Sequence, residues 1–189
     1  MAVPYLFGIL LYIYAWLGLL RGWTKELLVS FAAMLALAVN FMLRRYIPLV
    51  YSLPNESTDL FWVRVIILAS LLYFGYVTVL VIPSLALRSE LRTPRDRGWG
   101  LLLGILNGYL VMGTLLYYSA IANYPLGPYL PGPVDVTAVQ FVNAWMAYMP
   151  PVMLSEPLIY FAVILTYVLV LSAYTNFWAR LIVRKQPKS

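Results

Sequence analysis

The chain has 189 residues, 63% of them hydrophobic and 11% charged, an apolar excess that no soluble domain of this size can cover, so the sequence reads as one integral membrane domain. Histidine and cysteine are both missing, which excludes zinc held by His or Cys, thiolate nucleophiles, Ser-His-Asp triads, iron–sulfur clusters and haem held by His; no cofactor or metal is expected. The net charge of +6 is scattered between hydrophobic runs without the basic-aromatic patches of nucleic-acid modules, so the expected partner is the bilayer, with anionic lipids on the cytoplasmic side, and not nucleic acid.

A hydrocarbon core of about 30 Å takes roughly 20 apolar residues to cross. The reading is all-α: a multi-pass transmembrane helical bundle of about five spans, because backbone groups find no water in lipid and alternating barrel strands are absent. The first run, Tyr5 to Leu20, lacks a positive segment before it and an A-x-A-like cleavage site after it, and is expected to stay in the mature protein. Leu27 to Leu43 follows after Arg21, Gly22, Trp23, Thr24, Lys25 and Glu26, which predicts a tight hairpin of two short spans. Val65 to Leu87, with Pro83 near its end, Leu101 to Ala122 and Leu158 to Phe177 complete the set. Between the last two, Pro125, Pro128, Pro131 and Pro133 break any helix, and Thr137 to Met149 then resumes an apolar run. Too short to span, it predicts an amphipathic helix lying in the outer interface with Trp145 and Tyr148 at headgroup level, either packed over the helix ends or acting as a flap for a partner or substrate.

Cations set the orientation. The segments between spans one and two and between three and four, with the tail, hold ten Lys and Arg; the segments between two and three and between four and five hold three, Arg44, Arg45 and Arg64. The positive-inside rule places the ten in the cytoplasm, giving an outside N-terminus and a cytoplasmic C-terminus. The short first hairpin is the weak point of this count, since it could enter and leave from one side.

Two stretches stand out. In Gly18 to Leu28, Gly22 suits a left-handed cap ending helix one, Thr24 suits a cap for helix two, and Glu26 meets the positive end of that helix. If the hairpin is submerged, Arg21 and Glu26 are ionisable groups at membrane depth, which are costly and usually paired or pathway-lining. In Arg95 to Gly113, Gly100, Gly104 and Gly108 recur every fourth residue, a stripe for close helix packing. Asp96 would cap or precede that helix with Pro94 in the preceding turn, and Asn107 predicts an interhelical hydrogen bond. The segments Gly18-Leu-Leu-Arg21-Gly22-Trp23 and Gly104-Ile-Leu-Asn107-Gly108-Tyr109 also echo one another weakly, as duplicated helical units would.

The pattern G-x-x-R-G-x-x-x-E at Gly18, Arg21, Gly22 and Glu26, followed by D-R-x-x-G-x-x-x-G-x-x-x-G at Asp96, Arg97, Gly100, Gly104 and Gly108, resembles the colicin V production protein (CvpA) family. The resemblance covers roughly Tyr5 to Met149. It implies a bacterial inner-membrane protein tied to colicin V (toxin) production and envelope maintenance, with no established catalytic residues or cofactor. Two features depart from the family's pattern: Asn107 stands where the family usually has Arg or Lys, and Leu158 to Phe177 adds a span to the commoner four.

The expected function is therefore a non-enzymatic, multi-pass protein of envelope homeostasis or peptide export, working through the Arg21 to Glu26 junction and the glycine face. A small transporter or channel component is the alternative, with Arg21, Glu26, Asp96 and Asn107 lining one polar path. A structural subunit, as a homo-oligomer or within a larger membrane complex, is another, favoured by the Tyr and Trp content and the glycine stripe. An enzyme is not expected: of seven carboxylates only Glu56 and Asp59 are close in sequence, and they fall in a loop.

Overall fold

A computed structural model of the chain describes residues 2–81, 93–127 and 132–184. Among them it forms eight helices: α1 Ala2–Arg21, α2 Trp23–Tyr46, α3 Pro48–Tyr51, α4 Thr58–Val81, α5 Pro94–Ile121, α6 Val136–Met146, α7 Pro150–Met153 and α8 Leu158–Arg184. Five of these are long and coincide with the expected runs, and α6 lies between α5 and α8 where the interfacial helix is expected. The described parts of α2, α4 and α5, Trp23–Tyr46, Thr58–Thr78 and Pro94–Ile121, are each long and apolar enough to cross a membrane. A fourth candidate is the pair Val136–Met153 and Leu158–Tyr174, bent by 58° at its break, while Tyr5–Arg21 is apolar but shorter. Pro83, Pro128, Pro131, Arg88, Arg92, Lys185 and Lys188 lie outside the described residues.

Helix α2 is the hub. Its small residues Ala33 and Ala36, with Val29, pack against Leu68 and Leu72 of α4 and Leu110 and Val111 of α5. Farther along, Leu37 and Ala38 meet Phe61, Tyr118 and Ile159, and at its start Leu27 meets Val170 and Ala173 of α8. Lipid tails are as apolar as leucine, so what holds such helices together is close contact, which small residues permit. The outward faces carry the opposite pattern from a soluble bundle. Phe161, Ile164, Leu165 and Val168 of α8 are all more than half exposed, a continuous apolar row that suits hydrocarbon and not water.

The structure corrects three local expectations. Helices α1 and α2 do not form a hairpin with each other: α1 lies chiefly along α5 instead. The expected six-residue connection shrinks to Gly22 alone, whose φ of 82° is reached easily only without a Cβ. Helix two begins at Trp23 with Gly22 as its N-cap and no side-chain cap bond, so Thr24 sits inside the first turn and caps nothing. Helix α5 begins seven residues ahead of the expected Leu101, at Pro94. Thr93, not Asp96, is its N-cap, and Asp96 is the third helical residue. The two form a reciprocal capping box: the Asp96 amide donates to Thr93 Oγ1 at 3.2 Å and the Thr93 amide donates to Asp96 Oδ2 at 3.1 Å.

The segment after α6 reaches along α5 and not merely over its end. Tyr109 donates its hydroxyl hydrogen bond to the Tyr148 carbonyl, and Pro150 occupies the space a Cβ on Gly113 would need. On the other flank Trp145 stacks edge-on with Phe7 of α1, ring centroids 5.7 Å apart.

Candidate functional site

Helices α1 and α5 run antiparallel and approach closely at three levels. A Cβ on Gly100 would stand 2.9 Å from Gly22 Cα, one on Gly104 3.0 Å from Gly18 Cα, and one on Gly108 2.8 Å from Tyr14 Cβ. At the first two levels the neighbours are backbone atoms, so the two backbones touch, and at the third Gly108 leaves room for the Tyr14 side chain. The close approach sets the end of α1 beside the first turns of α5, Gly22 against Gly100, from where α2 turns back along α5.

That placement brings three distant residues together. Arg21 is the last residue of α1, Glu26 lies in the first turn of α2, and Asn107 is about 20 Å along α5 at 1.5 Å per residue. Glu26 and Asn107 are fully buried. Arg21 Nη1 donates to Glu26 Oε1 at 2.9 Å, and Asn107 Nδ2 donates to Glu26 Oε2 at 2.8 Å and to the Glu26 carbonyl at 2.9 Å. Ser30, one turn on from Glu26, donates to Asn107 Oδ1 at 2.6 Å and lies 3.1 Å from the Glu26 carbonyl. The Arg21 guanidinium rests 4.2 Å from the centre of the Tyr76 ring of α4, a cation–π contact. Tyr14 stands beside Glu26 and Tyr76.

The arrangement is a closed charge pair. A carboxylate taken out of water loses several kcal/mol of hydration, which only a well-aligned cation and further hydrogen bonds offset. Here both Glu26 oxygens are engaged, and the amide of Asn107 is used on both its ends. The cluster ties α1, α2 and α5 to one another through hydrogen bonds and adds α4 through Tyr76. Its chemistry is positional: the carboxylate is occupied, and among the described residues no three carboxylates gather where a metal ion could sit.

The other sequence candidates lie elsewhere. Asp96 Oδ1 accepts from Trp23 Nε1 at 3.0 Å, pinning the α1–α2 junction to the start of α5. Arg97 is exposed beside it. The two echoing segments come face to face, Gly18 against Gly104, with Arg21 and Asn107 both on Glu26. Ser30 and Tyr76 are members that sequence reasoning missed. Ser30 had a signal, being four residues after Glu26 and so on its face; Tyr76 had none.

Residues 3–131 match the colicin V production protein family. The chain belongs to this family. The match takes in the Arg21, Glu26 and Asn107 cluster and the glycine contact of α1 with α5, and it ends ahead of α6 and α8. No curated protein and no solved structure matches the chain.

Proposed function

We propose that the chain is a non-enzymatic, multi-pass protein of the bacterial inner membrane that serves colicin V production or export and envelope homeostasis. The N-terminus lies outside and the C-terminus in the cytoplasm, as the ten-to-three division of cations favours. The observation that carries the reading is the buried Arg21–Glu26 pair at 2.9 Å, held by Asn107 at 2.8 Å. A group so costly to bury and so fully satisfied supports a part that fixes the helices in one arrangement, with the Glu26 carboxylate itself occupied.

A transport role through Arg21, Glu26, Asp96 and Asn107 would need those groups on one path. Asp96 instead holds Trp23 and Thr93, which favours the positional role. The test is complementation of a deletion strain under envelope stress by Glu26→Gln and Arg21→Gln at matched expression. Failure of both is expected, and full rescue by both would reduce the cluster to a turn with no part in function.

A further inference from the structure

A second polar site lies at the other end of the bundle. Arg44, in the last turn of α2, is eighteen residues beyond Glu26, or about 27 Å along the helix. With Arg64 of α4 it lines a cavity of about 390 Å³ between the end of α2, the start of α4 and the end of α5. Asn40, Asn55, Glu56 and Tyr117 are in the same wall.

The two arginines lack what their neighbour has. Arg45 is paired with Glu156 at 2.8 Å, but among the described residues neither Arg44 nor Arg64 forms an ion pair. Arg44 Nη1 is shut off from solvent with no hydrogen-bond partner. Arg64 reaches only the Asn55 side-chain carbonyl, at 3.4 Å, and the Tyr118 ring, 4.9 Å from its centre. The two guanidinium groups also repel one another. Two like charges facing one space, one of them with a shielded and idle donor, form an incomplete arrangement that an anion completes. Glu56 in the wall leaves a net charge of one, which suits a singly charged group. Planar guanidinium forks and amide donors suit phosphoryl oxygens. A site about 27 Å from the Glu26 cluster, at the end of three long helices, also sits where headgroup phosphates lie.

We propose that the Arg44–Arg64 cavity binds a singly charged phosphoryl group, either that of a phospholipid headgroup or free phosphate. This goes beyond the role assigned to the Glu26 cluster and does not depend on it.

The test uses the full chain, purified in detergent and stripped of lipid. Its unfolding temperature is followed during titration with inorganic phosphate and, separately, with a short-chain phosphatidylglycerol, against chloride at matched ionic strength. A rise with the lipid alone assigns a headgroup site, and a rise with both assigns a site for the phosphoryl group itself. A rise with neither overturns the proposal. In Arg44→Gln and Arg64→Gln the half-saturating concentration should increase about tenfold each, as loss of one charge-assisted contact implies. Arg45→Gln, whose guanidinium belongs to Glu156, should leave it unchanged. Equal losses in all three variants would mean general charge attraction and would also overturn the site.

Discussion

Replacing Gly104 tests whether backbone contact between α1 and α5 sets the position of the Glu26 cluster. A Cβ there would lie 3.0 Å from Gly18 Cα and closer still to the Tyr14 carbonyl, and neither neighbour is a flexible side chain that can move away. Ordinary contact distances require the two helices to part by up to about 1 Å, a gap that forfeits a quarter to a half of each dispersion contact. Spread over roughly twenty atom pairs of about 0.1–0.2 kcal/mol each, the loss is on the order of 0.5–2 kcal/mol. Alanine also gains about 1 kcal/mol over glycine in a helix, so the proper reference is Gly98→Ala in the same helix, where a Cβ meets nothing within 4 Å. Gly98→Ala should be neutral or stabilising. Gly104→Ala should unfold lower than Gly98→Ala by about 1–8 °C in detergent, followed by circular dichroism. Gly104→Leu should be worse again by about 1–3 kcal/mol. Gly127→Ala, whose Cβ meets only the Tyr124 carbonyl at 3.4 Å, should be tolerated. Equal stability of Gly104→Ala and Gly98→Ala would show that the glycine face is not a packing surface.

Asn107→Ala leaves Glu26 Oε2 without its partner and Ser30 with the Glu26 carbonyl alone, and should cost about 2–4 kcal/mol as a buried charged group is orphaned; chemical denaturation of the detergent-solubilised protein measures it, and a loss below 0.5 kcal/mol or so, within the range of a surface change, refutes the closed network. Between α7 and α8, the Tyr160 hydroxyl and then Arg45 hold the Glu156 carboxyl below its usual range. A depressed carboxyl stabilises the fold above its unfolded pKa and loses that contribution as pH falls through the folded value. The difference in unfolding temperature between wild type and Arg45→Gln should therefore be present near pH 6 and shrink as the pH falls from about 4.5, the ordinary carboxyl value, whereas a difference that grows on acidification would contradict the assignment. For orientation, the chain's lack of cysteine allows single labels. An impermeant thiol reagent applied to intact cells should modify Asn123→Cys and spare Ser189→Cys, and the reverse pattern would overturn the proposed topology.

Membrane residence, helical class and the long helices follow from the sequence by itself, because the bilayer leaves an apolar run of about 20 residues no other way to satisfy its backbone. The family was legible too, since its marks are local spacings around Gly18, Arg21 and Glu26 and around Asp96 and the three glycines. Neighbourhood was not. Consecutive short runs predict a hairpin, yet α1 lies along α5, because glycines on both helices permit backbone contact that the α1–α2 pair does not match. Chain order cannot report this preference, which depends on the depth at which two surfaces meet. The same holds for the polar residues. Arg21 and Glu26 were recognisable as costly charges and Asn107 as an interhelical donor, but their union across 81 residues of sequence, the Tyr76 ring over the guanidinium, and the contrast between Arg45 on Glu156 and, among the described residues, Arg44 and Arg64 without an ion pair exist only once the helices are packed. Composition fixes which solvent each surface meets; which charges meet each other is decided by the helix contacts that the small residues allow.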